Sequence, residues 1–233
     1  MGLASARAFR AAGAYVVTNA RSQARLDENQ ALIGEAFDEL RVADLEDIAH
    51  TENFIRQMGE RHGRIDVLFL NAGIADNAPL GHITTEHYER VMNTNLKSII
   101  FAVQAGLPYF VNGTSIILNT SVNNERGMPA SLVYSASKAA VRNLARGMSA
   151  ELADKGIRVN AISPGPIQTP LVKKLGIPEE MLDMVTQQVI QMVPMKRWGQ
   201  PEEIANVAVF LASSASSYMM GAEIKVDGGM TSL

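Results

Sequence analysis

Apolar residues with helical spacing and short, uninterrupted apolar runs follow one another along the chain. Near the start, Leu3, Ala6 and Phe9 recur on one side of a predicted helix that ends before Gly13. The run AYVVTN follows and is typical of a β-strand. The first two elements are therefore a helix and then a strand.

The rest of the chain continues this alternation of strands and helices. Continuous apolar runs predict buried strands, and helical patterns separate them. The strand-like runs are EAFDELRVAD, IDVLFL, TSIILNTS, IRVNAIS and AEIKVDGG, and the main helices cover about 46–62, 84–98, 131–154 and the stretch from Pro201. We predict a single α/β domain over residues 1–233, a doubly wound, Rossmann-like parallel sheet whose ligands bind at the carboxyl ends of the strands.

One region, residues 171–198, contains no strand and interrupts the alternation. We interpret it as a substrate lid. Its apolar residues form a helical stripe that either packs in the core or against another subunit, or covers the substrate with flexible methionine side chains. The stripe consists of Met181, Met184, Val185, Val189, Met192 and Val193.

Composition excludes several classes of function. The 233 residues are 47% hydrophobic and 19% charged with a net charge of -3, which is typical of a soluble globular protein and lacks the basic excess of a nucleic-acid binder. No apolar run is long enough to span a membrane. The chain has no cysteine, which fits a reducing compartment, so we predict a cytoplasmic protein. The four histidines show no metal-ligand spacing, so we predict that they lie at the surface and that no metal is bound.

Polar residues that could carry chemistry are predicted at one edge of the sheet. Tyr134 and Lys138 lie four residues apart on a long helix and so share one face. Asn119 and Ser121 lie where the run TSIILNTS ends, and the segments NAG and SPG follow two other predicted strands. Because parallel strands end at the same edge, these groups are expected to converge there.

Together, these motifs resemble the short-chain dehydrogenase/reductase family from Gly2 to Gly229. The matching motifs are NAG, NTNLK, a serine 13 residues before the tyrosine, YSASK, SPGPIQTP and VDGG. The resemblance is to members similar to 3-oxoacyl-ACP reductase and glucose dehydrogenase. It implies an NAD(P)-dependent oxidoreductase that transfers a hydride between a nicotinamide and a carbonyl compound or secondary alcohol. No pattern in the sequence identifies that small-molecule substrate.

The resemblance also assigns site residues. The catalytic residues that it implies are Asn95, Ser121, Tyr134 and Lys138. The cofactor-binding residues that it implies, besides Tyr134 and Lys138, are Gly2, Asp44, Leu45, Asn71, Ala72, Gly73, Pro164, Gly165, Ile167 and Thr169. Asp44 and Leu45 would contact the adenine, and Asn71, Ala72 and Gly73 would line the cofactor. The nicotinamide would be flanked by Pro164, Gly165, Ile167 and Thr169.

These residue types suit the chemistry. Hydride transfer builds negative charge on a carbonyl oxygen, which a proton donor must neutralise. A phenol has a pKa of about 10, and the Lys138 ammonium together with an oxidised nicotinamide would favour its ionised form. Ser121 would donate a hydrogen bond to the same oxygen. In the family, the asparagine helps to hold a water beside the lysine, and the lysine also binds the nicotinamide ribose.

The chain departs from the family at its start. The family begins with a strand and a TGxxxGxG turn, whereas this sequence begins at the position of the last glycine, Gly2. We therefore expect a sheet without its first, central strand and a gap of about 9.6 Å between its neighbours. We hypothesise that the functional product carries roughly 15 to 20 further upstream residues. A cofactor-deficient relative that serves as a binding or assembly subunit is the alternative function.

Cofactor choice depends on the end of the run AYVVTN. Enzymes that prefer NAD usually have an aspartate there, but this chain has Ala20 followed by Arg21. We predict NADP(H), with Arg21 binding the 2′-phosphate and NAD(H) as a possible second cofactor. The alternative is that Arg21 only stacks on the adenine. The helices around Asn95 and Tyr134 and the C-terminal segment resemble the tetramer interfaces of the family, which implies a homotetramer.

Overall fold

The computed structural model describes residues 1–32, 34–169 and 179–233. Strands and helices alternate through these ranges, as predicted. The strands are β1 (Val17–Ala20), β2 (Glu39–Val42), β3 (Ile65–Leu70), β4 (Phe110–Asn119), β5 (Arg158–Pro164) and β6 (Glu223–Val226). The helices are α1 (Gly2–Ala11), α2 (Gln23–Asn29), α3 (Ile48–His62), α4 (Thr85–Met92), α5 (Ser98–Gly106), α6 (Leu132–Leu152), α7 (Glu179–Met192) and α8 (Pro201–Ala212).

All strand pairs in the described residues are parallel, but they form two sheets. One sheet has the order β3-β4-β5-β6, and β1 pairs with β2 in the other. The expected interruption between β1 and β3 is confirmed, because no ladder joins these two strands within the described ranges. The Rossmann-like, doubly wound class is confirmed as well, while the upstream segment stays a prediction.

Helix α1 packs against both sheets. Its Ala6 lies in an apolar cluster with Ala20 of β1 and Leu40 of β2. Its Phe9 packs with the larger sheet, where its ring meets the ring of Phe69 edge-on at a centroid distance of 6.0 Å. Because α1 contacts both sheets, it fixes the position of the carboxyl ends of one sheet relative to those of the other.

The core is centred on β4 and β5. Ile116, Ile117 and Leu118 of β4 and Val159 and Ala161 of β5 have 0% exposure. Helices α5 and α6 cover one face of these strands, and α8 covers the other. Burial of each large aliphatic side chain contributes about 1.5–3 kcal/mol to the free energy of unfolding. The two strands are therefore rigid, and the polar residues at their ends have fixed positions.

The predicted helix ends have clear physical causes. Gly63 and Gly156 end their helical segments with positive φ values of 76° and 68°. Thr84 is the N-cap of α4, and its hydroxyl accepts a hydrogen bond from the backbone N–H of His87. At α8, Gln200 and Glu203 form a capping box ahead of the buried helix.

The predicted lid is described only from residue 179 onward, and residues 171–178 lie outside the described ranges. The later part contains α7 and the turn leading to α8. The stripe is not uniformly buried, since Met184 and Met192 are 51% and 41% exposed whereas Val193 is 2% exposed. The described part of the stripe therefore combines a core contact with solvent-facing methionines.

One prediction about the histidines is wrong. His87 is buried, and its ring nitrogen Nε2 lies 3.1 Å from the carbonyl oxygen of Asp76. His87 lies in the first turn of α4, on the face of the helix that packs against the rest of the protein, so its ring is buried. Among the described residues, no group of three potential ligands could hold a metal ion. No helix in those ranges is both long and apolar enough to cross a membrane.

Candidate active site

The residues that follow the strands define one edge of the molecule. Parallel strands bring their carboxyl ends to the same side, and each predicted segment lies at such an end. In strand order these are Arg21 after β1, Asp44 and Leu45 after β2, Asn71, Ala72 and Gly73 after β3, Ser121 after β4, and Pro164, Gly165, Ile167 and Thr169 at the end of β5. A side-chain hydrogen bond from Asn19 to the carbonyl of Ala43, 2.9 Å long, joins the ends of β1 and β2.

Tyr134 lies in the first turn of α6 and is half-buried. Burial raises the pKa of its phenol, and a hydrogen bond with the Ser121 side chain acts in the opposite direction. The Ser121 hydroxyl accepts a hydrogen bond from the backbone N–H of Asn123 at 3.3 Å. A hydroxyl has one donor and two acceptor positions, so its own proton remains available for the phenol oxygen or a substrate oxygen.

Lys138 lies one turn further along α6 and is only 2% exposed. Its Nζ donates a hydrogen bond of 2.8 Å to the carbonyl oxygen of Asn119 and lies 5.9 Å from the centre of the Tyr134 ring. Burial lowers the pKa of Lys138 to about 8. The expected lowering of the Tyr134 pKa is absent in the protein alone, because burial outweighs the hydrogen bond with Ser121.

Asn95 is fully buried in a π-helical turn, Asn93–Lys97, between α4 and α5. Its side chain exchanges two hydrogen bonds with the backbone of Ile74, at 2.8 and 2.9 Å. The same amide group donates to the hydroxyl of Ser137 on α6 at 3.1 Å. Asn95 therefore connects the loop after β3, by hydrogen bonds, to the helix that carries Tyr134.

Gly73 allows this loop to approach the buried polar groups closely. A Cβ atom at this position would lie 3.1 Å from Lys138 Nζ and 3.2 Å from Asn95 Oδ1. Gly2, at the start of α1, approaches the same loop, since its Cβ would lie 3.0 Å from Asn71 Nδ2. The N-terminus of α1, with its partial positive charge, is thereby held at this edge.

The segment after β5 rests on two other parts of the chain. Gly165 donates a backbone hydrogen bond of 3.0 Å to Val226, and a Cβ on Gly165 would lie 2.6 Å from Cα of Asp227. Ile167 pairs with Gly199 in an isolated parallel bridge. Because it is held from both sides, this segment has a fixed position over the ends of β5 and β6.

Several residues that support the site were not predicted as functional. Ser137 lies within the motif YSASK but was not recognised as a partner of Asn95. The backbone carbonyl of Asn119 carries no sequence signal, because any residue type would supply it. Glu223 of β6 also lacked a signal, although it contacts the segment around Ser121.

Comparison with known proteins gives consistent matches along the whole chain. A family model described as enoyl-(acyl carrier protein) reductase matches residues 1–231. The chain is 40% identical to oxidoreductase asL5 of Sarocladium schorii, over 100% of this chain and 92% of that protein. It is 36% identical to the 3-oxoacyl-[acyl-carrier-protein] reductase FabG of Thermotoga maritima, over 99% and 93% of the two chains.

Solved structures show the same fold. A blue fluorescent protein from a metagenomic library, in complex with NADPH, has a TM-score of 0.91 and 31% identity, covering 99% of this chain and 93% of that one. A gluconate 5-dehydrogenase from Burkholderia cenocepacia, in complex with NADP and tartrate, has a TM-score of 0.88 and 33% identity, covering 100% and 91%.

Proposed function

The chain belongs to the short-chain dehydrogenase/reductase family, and on that premise we propose that it transfers a hydride between NADP(H) and a carbonyl compound or secondary alcohol. The observation that carries this proposal is the arrangement of Ser121, Tyr134 and Lys138. A donor hydroxyl, a phenol and a buried ammonium lie together beyond the end of β4. This combination supplies a proton to an oxygen on which negative charge develops.

The residues at the sheet edge fit a dinucleotide. Ala72 and Gly73 are small and exposed along the edge, and Arg21 is exposed at its far end. The N-terminus of α1 lies close to Asn71 and can face an anionic group. The nicotinamide, when bound, supplies or accepts the hydride.

The side chains of this site donate or accept the proton that accompanies the hydride. In reduction, the Tyr134 hydroxyl gives its proton to the substrate oxygen, and Ser121 donates a hydrogen bond to the same oxygen. Because burial raises the pKa of the phenol, Tyr134 is protonated and ready to donate at neutral pH. In oxidation, the phenol oxygen must first lose its proton, and a positive charge nearby favours that loss.

Lys138 supplies such a charge and has further hydrogen-bond donors for a ligand. One N–H group binds the carbonyl of Asn119, and an ammonium has three donors in total. We propose that the remaining donors bind the ribose hydroxyls of the cofactor. Asn95 holds Ile74 and Ser137, so it keeps the β3 loop and α6 at the spacing that this contact requires.

Cofactor binding separates this proposal from the alternative of a cofactor-deficient binding or assembly subunit. Trp198 is the only tryptophan in the chain and adjoins Gly199, the partner of the segment after β5. Titration with NADPH should quench tryptophan emission and produce energy transfer to the nicotinamide. A protein that is folded by circular dichroism but gives no saturable change with NADPH would favour the alternative.

Arg21 is expected to select NADP(H). It directly follows β1, where the neighbouring Ala20 provides no carboxylate to repel a 2′-phosphate. Arg21→Ala should lower the ratio of kcat/KM for NADPH to that for NADH by about 10-fold or more. This is the effect expected from the loss of one charge-assisted hydrogen bond. Arg25→Ala is the matched control, because Arg25 is exposed on α2 and pairs with Glu28. An unchanged ratio in Arg21→Ala would indicate that Arg21 only stacks on the adenine.

We also propose a homotetramer. Exposed apolar side chains lie on α5, on α6 and near the C-terminus, among them Ile100, Leu132, Met220 and Leu233. Their burial between copies would remove apolar surface from water. Light scattering after size exclusion should give four times the chain mass of 25.2 kDa. A monomer at micromolar concentration would contradict this proposal.

The cytoplasmic location stays a prediction.

A further inference from the structure

A network of charged side chains joins three elements beside the candidate site. Glu223 and Lys225 come from β6, Glu125 from the segment after β4, and Arg142 from α6. Arg142 Nε lies 2.9 Å from Glu223 Oε2, and its terminal nitrogen lies 2.6 Å from Glu125 Oε1. The other oxygen of Glu125 lies 2.6 Å from Lys225 Nζ.

Glu223 contacts the chain on both sides of Ser121. Its Oε1 atom lies 2.6 Å from the hydroxyl of Thr120, the residue immediately before Ser121. The same oxygen accepts a 2.5 Å hydrogen bond from the side-chain amide of Asn124, three residues after Ser121. The Glu223 side chain is only 7% exposed, and Thr120 is 2% exposed. These contacts fix the short turn that carries the serine.

The second oxygen of Glu223 connects the same turn to the catalytic helix. Arg142 lies four residues after Lys138 and eight after Tyr134, so the three side chains follow one side of α6. One carboxylate thus accepts hydrogen bonds from the Ser121 turn through Oε1 and forms an ion pair with α6 through Oε2. A carboxylate suits this place because its oxygens accept several hydrogen bonds and oppose the guanidinium charge.

We infer that Glu223 is a positioning residue, which holds the Ser121 hydroxyl at the correct place relative to Tyr134 by binding Thr120, Asn124 and Arg142. This inference rests on the proposed function, because it assigns Glu223 a role in the same proton transfer. Glu223 itself does not contact the phenol or the proposed cofactor residues among its hydrogen bonds and ion pairs in the described ranges. It acts on the donor group of Ser121 and not on cofactor binding.

The main test replaces Glu223 by alanine and by glutamine. In Glu223→Ala, Arg142 keeps its pairing with Glu125, so the substitution does not leave an unpaired cation. We expect kcat to fall by about 10-fold or more, since small displacements of a catalytic group have large effects on rate. The KM for NADPH should change by less than about twofold, because the cofactor residues belong to other segments. Glu223→Gln should fall between the wild type and Glu223→Ala.

A double-mutant cycle with Ser121→Ala distinguishes positioning from general support of the fold. If Glu223 acts through Ser121, adding Glu223→Ala to Ser121→Ala should change kcat by less than about twofold. Glu39→Ala is the matched control, because Glu39 is also a glutamate with a 7% exposed side chain and arginine partners. It lies on β2, where it pairs with Arg41 and Arg61. Its loss should lower the melting temperature and leave kcat unchanged.

Hydrogen–deuterium exchange gives a readout that does not require turnover. Glu223→Ala or Glu223→Gln should raise exchange in residues 120–125 more than in the preceding strand β4. Wild-type kcat in a folded Glu223→Ala protein, or an equal fold-loss in the Ser121→Ala background, would overturn the inference. Unchanged exchange in residues 120–125 would overturn it as well. If the wild type has no NADPH-dependent turnover, the proposed function fails, and the exchange result still tests the contact of Glu223 with the turn.

Discussion

Replacement of Tyr134 by phenylalanine is expected to lower kcat by about 10²- to 10⁴-fold, the usual contribution of a positioned general acid. The half-buried ring can still pack in the first turn of α6 and can still lie 5.9 Å from the Lys138 ammonium. Only the hydroxyl is removed, and with it the proton for the substrate oxygen. The melting temperature and the affinity for NADPH should therefore stay close to those of the wild type.

The measurement is the steady-state oxidation of NADPH with a panel of carbonyl compounds. The panel includes a 3-oxoacyl thioester and an oxidised sugar acid, because two of the similar proteins reported above are a 3-oxoacyl-[acyl-carrier-protein] reductase and a gluconate 5-dehydrogenase. Tyr88→Phe is the matched control, because Tyr88 lies on α4 and is 48% exposed. Retention of more than about a tenth of kcat in Tyr134→Phe, a loss below about 1.4 kcal/mol, would show that another group donates the proton.

Lys138→Met is expected to reduce activity and to increase stability at neutral pH. Burial lowers the pKa of Lys138 to about 8 from its ordinary value of 10.5. Between these values the unfolded chain binds more protons than the folded protein, so wild-type stability rises with pH. Below pH 8 the buried charge costs roughly 3 kcal/mol, less the value of the hydrogen bond to Asn119. Methionine removes that cost but also removes the proposed ribose donor.

Unfolding by denaturant at several pH values tests this expectation. Lys138→Met should be more stable than the wild type at pH 7, and the difference should shrink as the pH rises from 8 towards 10.5. Its kcat/KM for NADPH should fall by about 10- to 100-fold. Lys97→Met serves as the control, because Lys97 is exposed. A variant that is less stable than the wild type at pH 7, or that keeps full activity, would contradict the assigned role of Lys138.

Apolar patterning made much of the fold predictable. The run IDVLFL coincides with β3, Ile65–Leu70, because a parallel strand covered by helices needs apolar residues at nearly every position. The helices predicted over about 46–62 and 131–154 end just before Gly63 and Gly156, because glycine readily adopts the left-handed conformation that ends a helix. The separate β1–β2 sheet followed from the order of the first helix and strand.

Other features depend on contacts between distant residues and had no local signal. The π-helical turn around Asn95 inserts an extra residue into a helix, and helical periodicity does not reveal it. Glu223 is the first residue of the short strand β6, and its partners Thr120 and Asn124 lie about a hundred residues earlier. The raised pKa of Tyr134 reflects burial, which becomes known only when the surrounding elements are in place.

Transfer of deuterium from NADPH labelled at C4 of the nicotinamide tests the central claim most directly. We expect mass spectrometry to detect deuterium on the carbinol carbon of the reduced product with the wild type. We expect at least about 100-fold slower transfer with Tyr134→Phe under the same conditions. Equal rates of transfer with the two proteins would contradict the role of Tyr134. Tight NADPH binding without transfer to any carbonyl compound in the panel would contradict the proposed reaction.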